Sequence, residues 1–278
     1  MVDIPIPDSK NNVADWVELY LAYSSETISK DQLSRYIESA SSQEPEVGFV
    51  HSVWLELIER LSQYAFSPYL VENSLIKPLK NWIDNPEYMT CLIFSVFGGT
   101  YSLSKSAKLF ERISAETYNR YLNSDHFIIG WPNKPPDDQS LKDQLEKIAL
   151  LLKEKFVEHP LTEKKDDTVD IVAWKRFKDE RSNQLILLAQ CASGRNWATK
   201  TRSLRIERWG QYIHWACAPI KGFSVPVIIP RRKWHECGVD AGLLLDRIRI
   251  CNLLMGKIDQ TLKNELIDWC NVQLKTLS

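Results

Sequence analysis

Long apolar runs are missing from this chain. The longest, around Met89 to Gly98, is about ten residues, and a membrane helix needs roughly 18 to 20. No membrane partner is therefore expected. The N-terminus, Met1-Val2-Asp3-Ile4-Pro5, has neither the basic nor the apolar region of a secretory signal, so the expected location is cytoplasmic. Cysteines at CxxC spacing are also absent. Cys91, Cys191, Cys217, Cys237, Cys251 and Cys270 are scattered, which argues against a zinc ribbon and gives no disulfide framework. They read as small hydrophobes of a reducing compartment. The sequence has no P-loop, dinucleotide fingerprint or nucleophile elbow. No repeat of fixed period points to a solenoid.

What is present suits a folded protein. The 278 residues are 44% hydrophobic and 26% charged, enough for a real core in one large or two ordinary domains. Trp16, Trp54, Trp82 and Trp269 fall at apolar helical positions and are expected in the core. The formal net charge of −1 hides an asymmetry. Between Lys164 and His235 there are fifteen Lys or Arg against six Asp or Glu, so the rest of the chain is strongly acidic. Such a basic stretch favours a polyanionic partner, with nucleic acid first.

Apolar periodicity predicts helices over most of the first 125 residues. The first carries Val13, Trp16, Val17, Tyr20 and Leu21, with Asn11-Asn12 as cap. Further helices are expected from Ser29, over 50–64, 75–83 and 88–97, and from Lys105 to Leu122. Trp131-Pro132-Asn133-Lys134-Pro135-Pro136-Asp137-Asp138 cannot lie inside a helix or a central strand, so the domain boundary is expected there. Beyond it, the pattern predicts a helix over 140–158, strands over 166–174, 185–192 and 225–229, and helices over 241–255 and 262–274. Residues 209–216 read as strand or short helix. The fold class is thus α+β: an all-helical domain over 1–130, then a mixed α/β domain over 138–278.

The two strands around 170 and 190 carry the densest chemical signal. Asp170 opens the first, and Gln190 closes the second beside Cys191. Oxygen-bearing side chains at the ends of adjacent strands suit a hard divalent cation. Cys191 alternates with Gln190 and should face the opposite side of its strand. His214 and His235 have no partner at ligand spacing and read as structural or surface residues.

The run Asp-x-x-Val-Asp-Ile-Val-Ala-Trp ending at Trp174, followed by Gln190-Cys191, resembles the restriction-endonuclease-like PD-(D/E)XK superfamily. The nearest likeness is to its Mrr-like branch, where G-D-G-G-[VI]-D precedes a strand ending in Q-C-K, and it covers roughly residues 140–235. The resemblance implies a restriction-endonuclease-like domain and a metal-dependent nuclease, with DNA as substrate and Mg²⁺ or Mn²⁺ as cofactor. Asp170 would bind the metal, with Gln190 in the second motif position and the Cys191 carbonyl as a further ligand. A glutamate of the preceding helix would complete the site, with Glu146 first and Glu154 behind it. A helical domain fused to such a nuclease also resembles proteins of restriction and anti-phage defence. The helical domain would then serve a protein partner or a regulatory role.

The chain departs from the motif at one position: the third motif residue is lysine in the family and Ala192 here. A cation must therefore come from elsewhere. Gly194 permits a turn, and a helix starting near Asn196 would return Lys200 towards the strand end, with Arg195 as a phosphate clamp. Lys175, five positions from Asp170, falls on the other face. Trp197 could stack on a base, and Arg202 and Arg205 extend the basic surface. Two other readings stand beside the nuclease: a catalytically silent nucleic-acid-binding or assembly subunit, and a helical interaction protein supported by its α/β half.

Overall fold

The computed structural model describes residues 9–41, 45–79, 81–98, 105–129, 141–158 and 167–277. In chain order the first elements are α1 (Lys10–Ser24), β1 (Ile28–Ser29), α2 (Lys30–Ser41), α3 (Phe49–Gln63), β2 (Tyr69–Val71), β3 (Leu75–Pro78) and α4 (Pro86–Phe97). Then come α5 (Lys105–Leu122), β4 (Asp125–Ile128), α6 (Leu141–Leu152), β5 (Lys155–Phe156), β6 (Ile171–Lys175) and β7 (Leu185–Cys191). The remainder is α7 (Ile206–Trp209), β8 (Ile213–His214), β9 (Ile220–Ser224), α8 (Arg231–Ala241), β10 (Leu243–Leu245), α9 (Arg247–Leu254) and α10 (Gln260–Leu277). None of these helices is long and apolar enough to cross a membrane.

The chain divides into two compact units, with the boundary near residue 101 and not at the proline-rich stretch 131–138, which lies outside the described residues. One unit takes Met1–Tyr101, Pro226–Ile228 and Arg247–Ser278; the other takes Ser102–Val225 and Ile229–Asp246. The first therefore includes the last two helices, α9 and α10, which had been expected in the second. It is not all-helical either, because β1, β3 and β2 form a small antiparallel sheet.

Local chemistry explains most elements of the first unit. Ser9, rather than the asparagines, caps α1 through a 3.3 Å bond from the Asn12 amide. At α2, Ser29 and Gln32 close a reciprocal capping box, with bonds of 3.1 and 2.8 Å. Residues 75–83 do not form the expected helix. Pro78 ends β3, where its missing N–H is harmless, whereas inside a helix it would remove a bond and clash.

Beneath the apolar core of this unit lies a charge cluster that holds distant segments together. Arg60 of α3 binds Asp15 at 2.7 Å and Glu18 at 2.8 Å, both on α1, and Glu56 at 3.0 Å. Arg247, at the start of α9, binds the same Asp15 and Glu18 at 2.8 and 3.1 Å. Glu18 also accepts from the hydroxyls of Tyr64 and Tyr88. Two buried guanidinia thus face two buried carboxylates, with further hydrogen bonds to the remaining polar atoms. That compensation is what makes such burial tolerable, and it ties residue 247 to the N-terminal helices.

The second unit is built on a five-stranded sheet in the order β10-β9-β7-β6-β4. Strands β4, β6 and β7 run antiparallel; β7, β9 and β10 run parallel. Alternation divides the sheet cleanly. Val172, Trp174, Ile186 and Leu188 pack with Leu145, Ile148 and Leu152 of α6. Leu187 and Ala189 face the other way, towards Tyr118 of α5. Gly222 makes room there, since a Cβ would stand 2.9 Å from the Tyr118 hydroxyl and 3.0 Å from the Ala189 Cβ. Several expected elements shift. The helix from 140 stops at Leu152, and Lys153 turns left-handed with φ 58° before β5. The expected strand at 225–229 is instead β9, ending at Ser224. In place of the helix expected over 241–255 stand β10 and α9; α8 ends at Ala241, and Gly242, at φ 82°, turns the chain into β10.

Candidate functional site

One end of this sheet collects the chemistry. Strands β7, β9 and β10 finish there, while β6 starts there. Ile171 pairs with Ala189 as the last pair of this ladder; Asp170 immediately precedes it and Gln190 immediately follows Ala189. The backbone fixes Asp170 from both sides. Its amide donates to Ala189 at 2.9 Å, and its carbonyl accepts from Ile129 at 2.7 Å. Its carboxylate Oδ2 accepts the Cys191 amide at 2.7 Å.

The approach to Asp170 is strained. Asp167 and Thr168 both sit at positive φ, 44° and 71°. For a β-branched threonine this is an uncommon conformation, and each such residue costs on the order of 1–3 kcal/mol. Side chains hold it in place. Asp167 Oδ2 accepts from the Tyr212 hydroxyl at 2.9 Å and from Arg208 Nε at 2.8 Å. Its carbonyl accepts from Trp209 Nε1 at 3.2 Å.

Gln190 and Cys191 face opposite sides, as alternation requires. Gln190 is only 8% exposed and lies 2.6 Å from Ser203 Oγ, which is also 2.6 Å from the Lys200 carbonyl. One hydroxyl proton serves one of these two acceptors at a time. Both are satisfied when the carboxamide of Gln190 turns its NH₂ towards Ser203, which releases its oxygen.

Cys191 points to α5, where Ser114 hydrogen-bonds its thiol. Burial, with the charges of Asp170 and Glu111, pushes this thiol well above its ordinary range, against the Ser114 bond and the Lys108 charge. The thiol is therefore protonated at neutral pH and no nucleophile. Around it α5 supplies an ion pair. Lys108 Nζ lies 2.7 Å from Glu111 Oε2 and 3.4 Å from the Ile129 carbonyl, and Glu111 is 8% exposed. Ser114 and Ser224 join α5 to the end of β9 through hydroxyls 2.7 Å apart.

The other residues named from sequence are not all drawn to this point. Glu146 is exposed on α6, whose buried stripe is Leu141, Leu145, Ile148 and Leu152. Glu154 anchors loops, accepting the amides of Asn183 and Ala216. Lys200 closes a 3₁₀ turn over Trp197–Lys200 that follows Asn196, and Lys200 and Trp197 are half-buried. Arg195 and Arg205 are exposed, and Arg202 is paired with Asp240 at 2.8 Å. Ala192 is buried.

The chain matches no family model, no curated protein and no solved structure. The reading of the site rests on its own geometry. Among the described residues, no cluster of three or more His, Cys, Asp or Glu side chains is spaced to hold a metal ion. The charges of Asp170 and Glu111 both raise the Cys191 thiol. One or two carboxylates, completed by water and substrate phosphate, is how Mg²⁺ is commonly held. Asp170 and Glu111 offer hard oxygens of that kind.

Lys108 and Glu111 escaped the sequence reading for a specific reason. The helix flanking the motif was taken to be the one after the prolines. Strand β4 (Asp-His-Phe-Ile) comes before them, pairs with β6, and makes α5 the helix that precedes the sheet. Its aromatic and β-branched residues were the available signal.

Proposed function

We propose that the second unit is a metal-dependent nuclease of the PD-(D/E)XK type, hydrolysing phosphodiester bonds in DNA. The observation that carries the reading is the placement of Asp170 at the sheet end, its amide on the Ala189 carbonyl and its carboxylate on the Cys191 amide. A second feature supports it. Asp167 and Thr168, the left-handed pair, occupy the places of the two glycines in the Mrr-like motif. The backbone form that favours glycine is thus kept without it.

In this reading Asp170 and Glu111 would hold Mg²⁺ or Mn²⁺, with Glu111 in the role expected of Glu146, while Gln190, on the other face of β7, is bonded to Ser203. When bound, the cation polarises the scissile phosphate and offsets its charge. The Cys191 amide orients the Asp170 carboxylate, and the backbone bonds to Ala189 and Ile129 fix its height at the sheet end. Arg195 and Arg205, exposed on the basic segment after β7, would meet the phosphates of the bound strand, and Trp197 offers a face for stacking. Restriction of foreign DNA is the corresponding biological role, with the helical first unit engaging a protein partner.

The test is cleavage of double- and single-stranded DNA and of RNA with Mg²⁺ or Mn²⁺. Wild-type protein should cut DNA, and Asp170→Ala should lose at least about a hundredfold in rate. Intact substrate in every combination would remove the nuclease reading. A second reading is favoured by Ala192 and by the ion pair that already engages Glu111: a silent nucleic-acid-binding or assembly subunit. Metal-independent DNA binding that Asp170→Ala leaves unchanged would support it.

A further inference from the structure

A polar cleft of about 330 Å³ opens in the second unit, between the segment that follows β7 and helix α8. That is the lower end of the roughly 300–1,000 Å³ of small-molecule sites. Ala198, Thr199 and Arg202 line one wall; Lys233, Glu236 and Cys237 line the other. The sheet sets these walls side by side. One follows β7 and the other follows β9, parallel neighbours in which Gln190 pairs with Phe223. Ser203, next to Arg202, is bonded to Gln190. Gly238 of α8 lies against Leu244, which pairs with the same Phe223. Paired residues share a face, so both walls stand on the Gln190 face of the sheet.

The polar groups of the cleft supply donors and acceptors in a fixed order. Lys233 stands in the first turn of α8 and Glu236 three residues on, so the two side chains are neighbours on one helix face. Both are exposed, and neither has an ion-pair partner among the described residues. Arg202 is held by Asp240, with Nε 2.8 Å from the carboxylate, which fixes its guanidinium plane. Thr199 donates its hydroxyl proton to the Asn196 carbonyl at 2.8 Å, so towards the cleft its oxygen only accepts. Arg202 and Lys233 are balanced by Glu236 and Asp240, and the cleft carries no net charge. A bare phosphate gains little there. A neutral ring with a donor edge beside an acceptor suits it better. Glu236 offers two carboxylate oxygens side by side, and guanine is the nucleobase with two adjacent N–H donors, N1–H and N2–H, next to a carbonyl. We propose that this cleft holds one guanine base. Glu236 accepts from N1–H and N2–H, Lys233 donates to O6, and the Arg202 guanidinium offers a plane for stacking. Thymine would turn carbonyls towards the carboxylate, while adenine and cytosine present a single amino group on the same edge. The inference goes beyond the nuclease reading and stands without it. A free nucleotide and an unpaired strand present the same guanine edge, which pairing in a duplex would engage.

Calorimetry of the full chain with dGMP, dAMP, dCMP and dTMP tests the site, together with short thymine strands carrying or lacking one guanine. Guanine should bind at least about tenfold more tightly than the other bases. Glu236→Gln turns an N–H towards the guanine donors and should abolish that preference. Lys233→Met removes the donor to O6 and should weaken guanine binding about tenfold. Both positions are exposed, and thermal melting verifies that the variants fold. A guanine preference among the strands assigns the cleft to an unpaired strand; one confined to dGMP assigns it to a free nucleotide. No guanine preference in either set overturns the proposal, and so does a preference that survives Glu236→Gln. Neither result bears on the nuclease reading, which cleavage by wild type and Asp170→Ala decides.

Discussion

Replacing Glu87 by glutamine should stabilise the protein above pH 7 and leave it unchanged near pH 4. Glu87 lies in the first turn of α4, is 1% exposed, and neither carboxylate oxygen has a hydrogen-bond partner among the other described residues. Burial pushes its pKa from 4.5 to about 7, against weaker pulls from its own backbone amide and from the charge of Lys263. The direction of the pH effect follows. A carboxyl with a raised folded-state pKa keeps its proton longer in the folded protein than in the unfolded chain. Its full contribution is present below about pH 4.5, and it is lost as pH rises through about 7. At about 1.4 kcal/mol per pH unit of difference, ionising Glu87 costs the folded state on the order of 3 kcal/mol. The glutamine side chain has nearly the shape of the protonated acid and does not ionise. Urea unfolding of both proteins at pH 5 and pH 8 measures the effect. The stability difference between variant and wild type should grow by on the order of 3 kcal/mol between these two values. A difference that stays constant with pH would refute the reasoning, since it would mean that Glu87 is ionised or solvated in the folded protein at both.

The buried charge cluster predicts the opposite behaviour in acid. Burial disfavours the charge of Asp15, yet Arg247 and Arg60 outweigh it and hold the carboxyl below its ordinary 3.8. Stability from Asp15 is thus present above pH 3.8 and lost as pH falls through the lower folded value. Arg247→Met should destabilise the protein by about 3–5 kcal/mol at pH 7 and flatten this acid limb, as measured by urea unfolding at pH 7 and pH 3. Thr168→Gly removes a β-branched residue from φ 71° and should raise stability by about 1 kcal/mol. A loss of stability would show that the Thr168 hydroxyl, 3.4 Å from the Ser203 carbonyl, outweighs the strain.

Elements whose apolar pattern is local could be read from the chain. Helix α5 runs from Lys105 to Leu122, the bounds that periodicity gives, and α2 begins at the Ser29–Gln32 box. Strands β6 and β7 were legible because one face packs under α6 and the other under α5, which makes both runs almost wholly apolar. Strand β9 was not. Its Lys221 and Gly222 interrupt the apolar run, and Gly222 is set by the approach of the Tyr118 hydroxyl, a contact more than a hundred residues away in sequence. The membership of α9 and α10 in the first unit was hidden for a similar reason. It depends on Arg247 meeting Asp15 and Glu18, a pairing that no local window contains.

The candidate site divides along the same line. Asp170, Gln190 and the opposite orientation of Cys191 follow from strand alternation, and that much was available from sequence. The helix that faces them was not, because the prolines at 132, 135 and 136 were read as the start of the domain. The strand and helix before those prolines belong to the same unit, with β4 on β6 and α5 across the sheet. A proline-rich stretch excludes regular structure only over its own length. It says nothing about whether the elements on either side share a core. Placed on the wrong helix, the search for a second carboxylate reached exposed Glu146; placed on the helix before β4, it reaches Glu111 and Lys108 together.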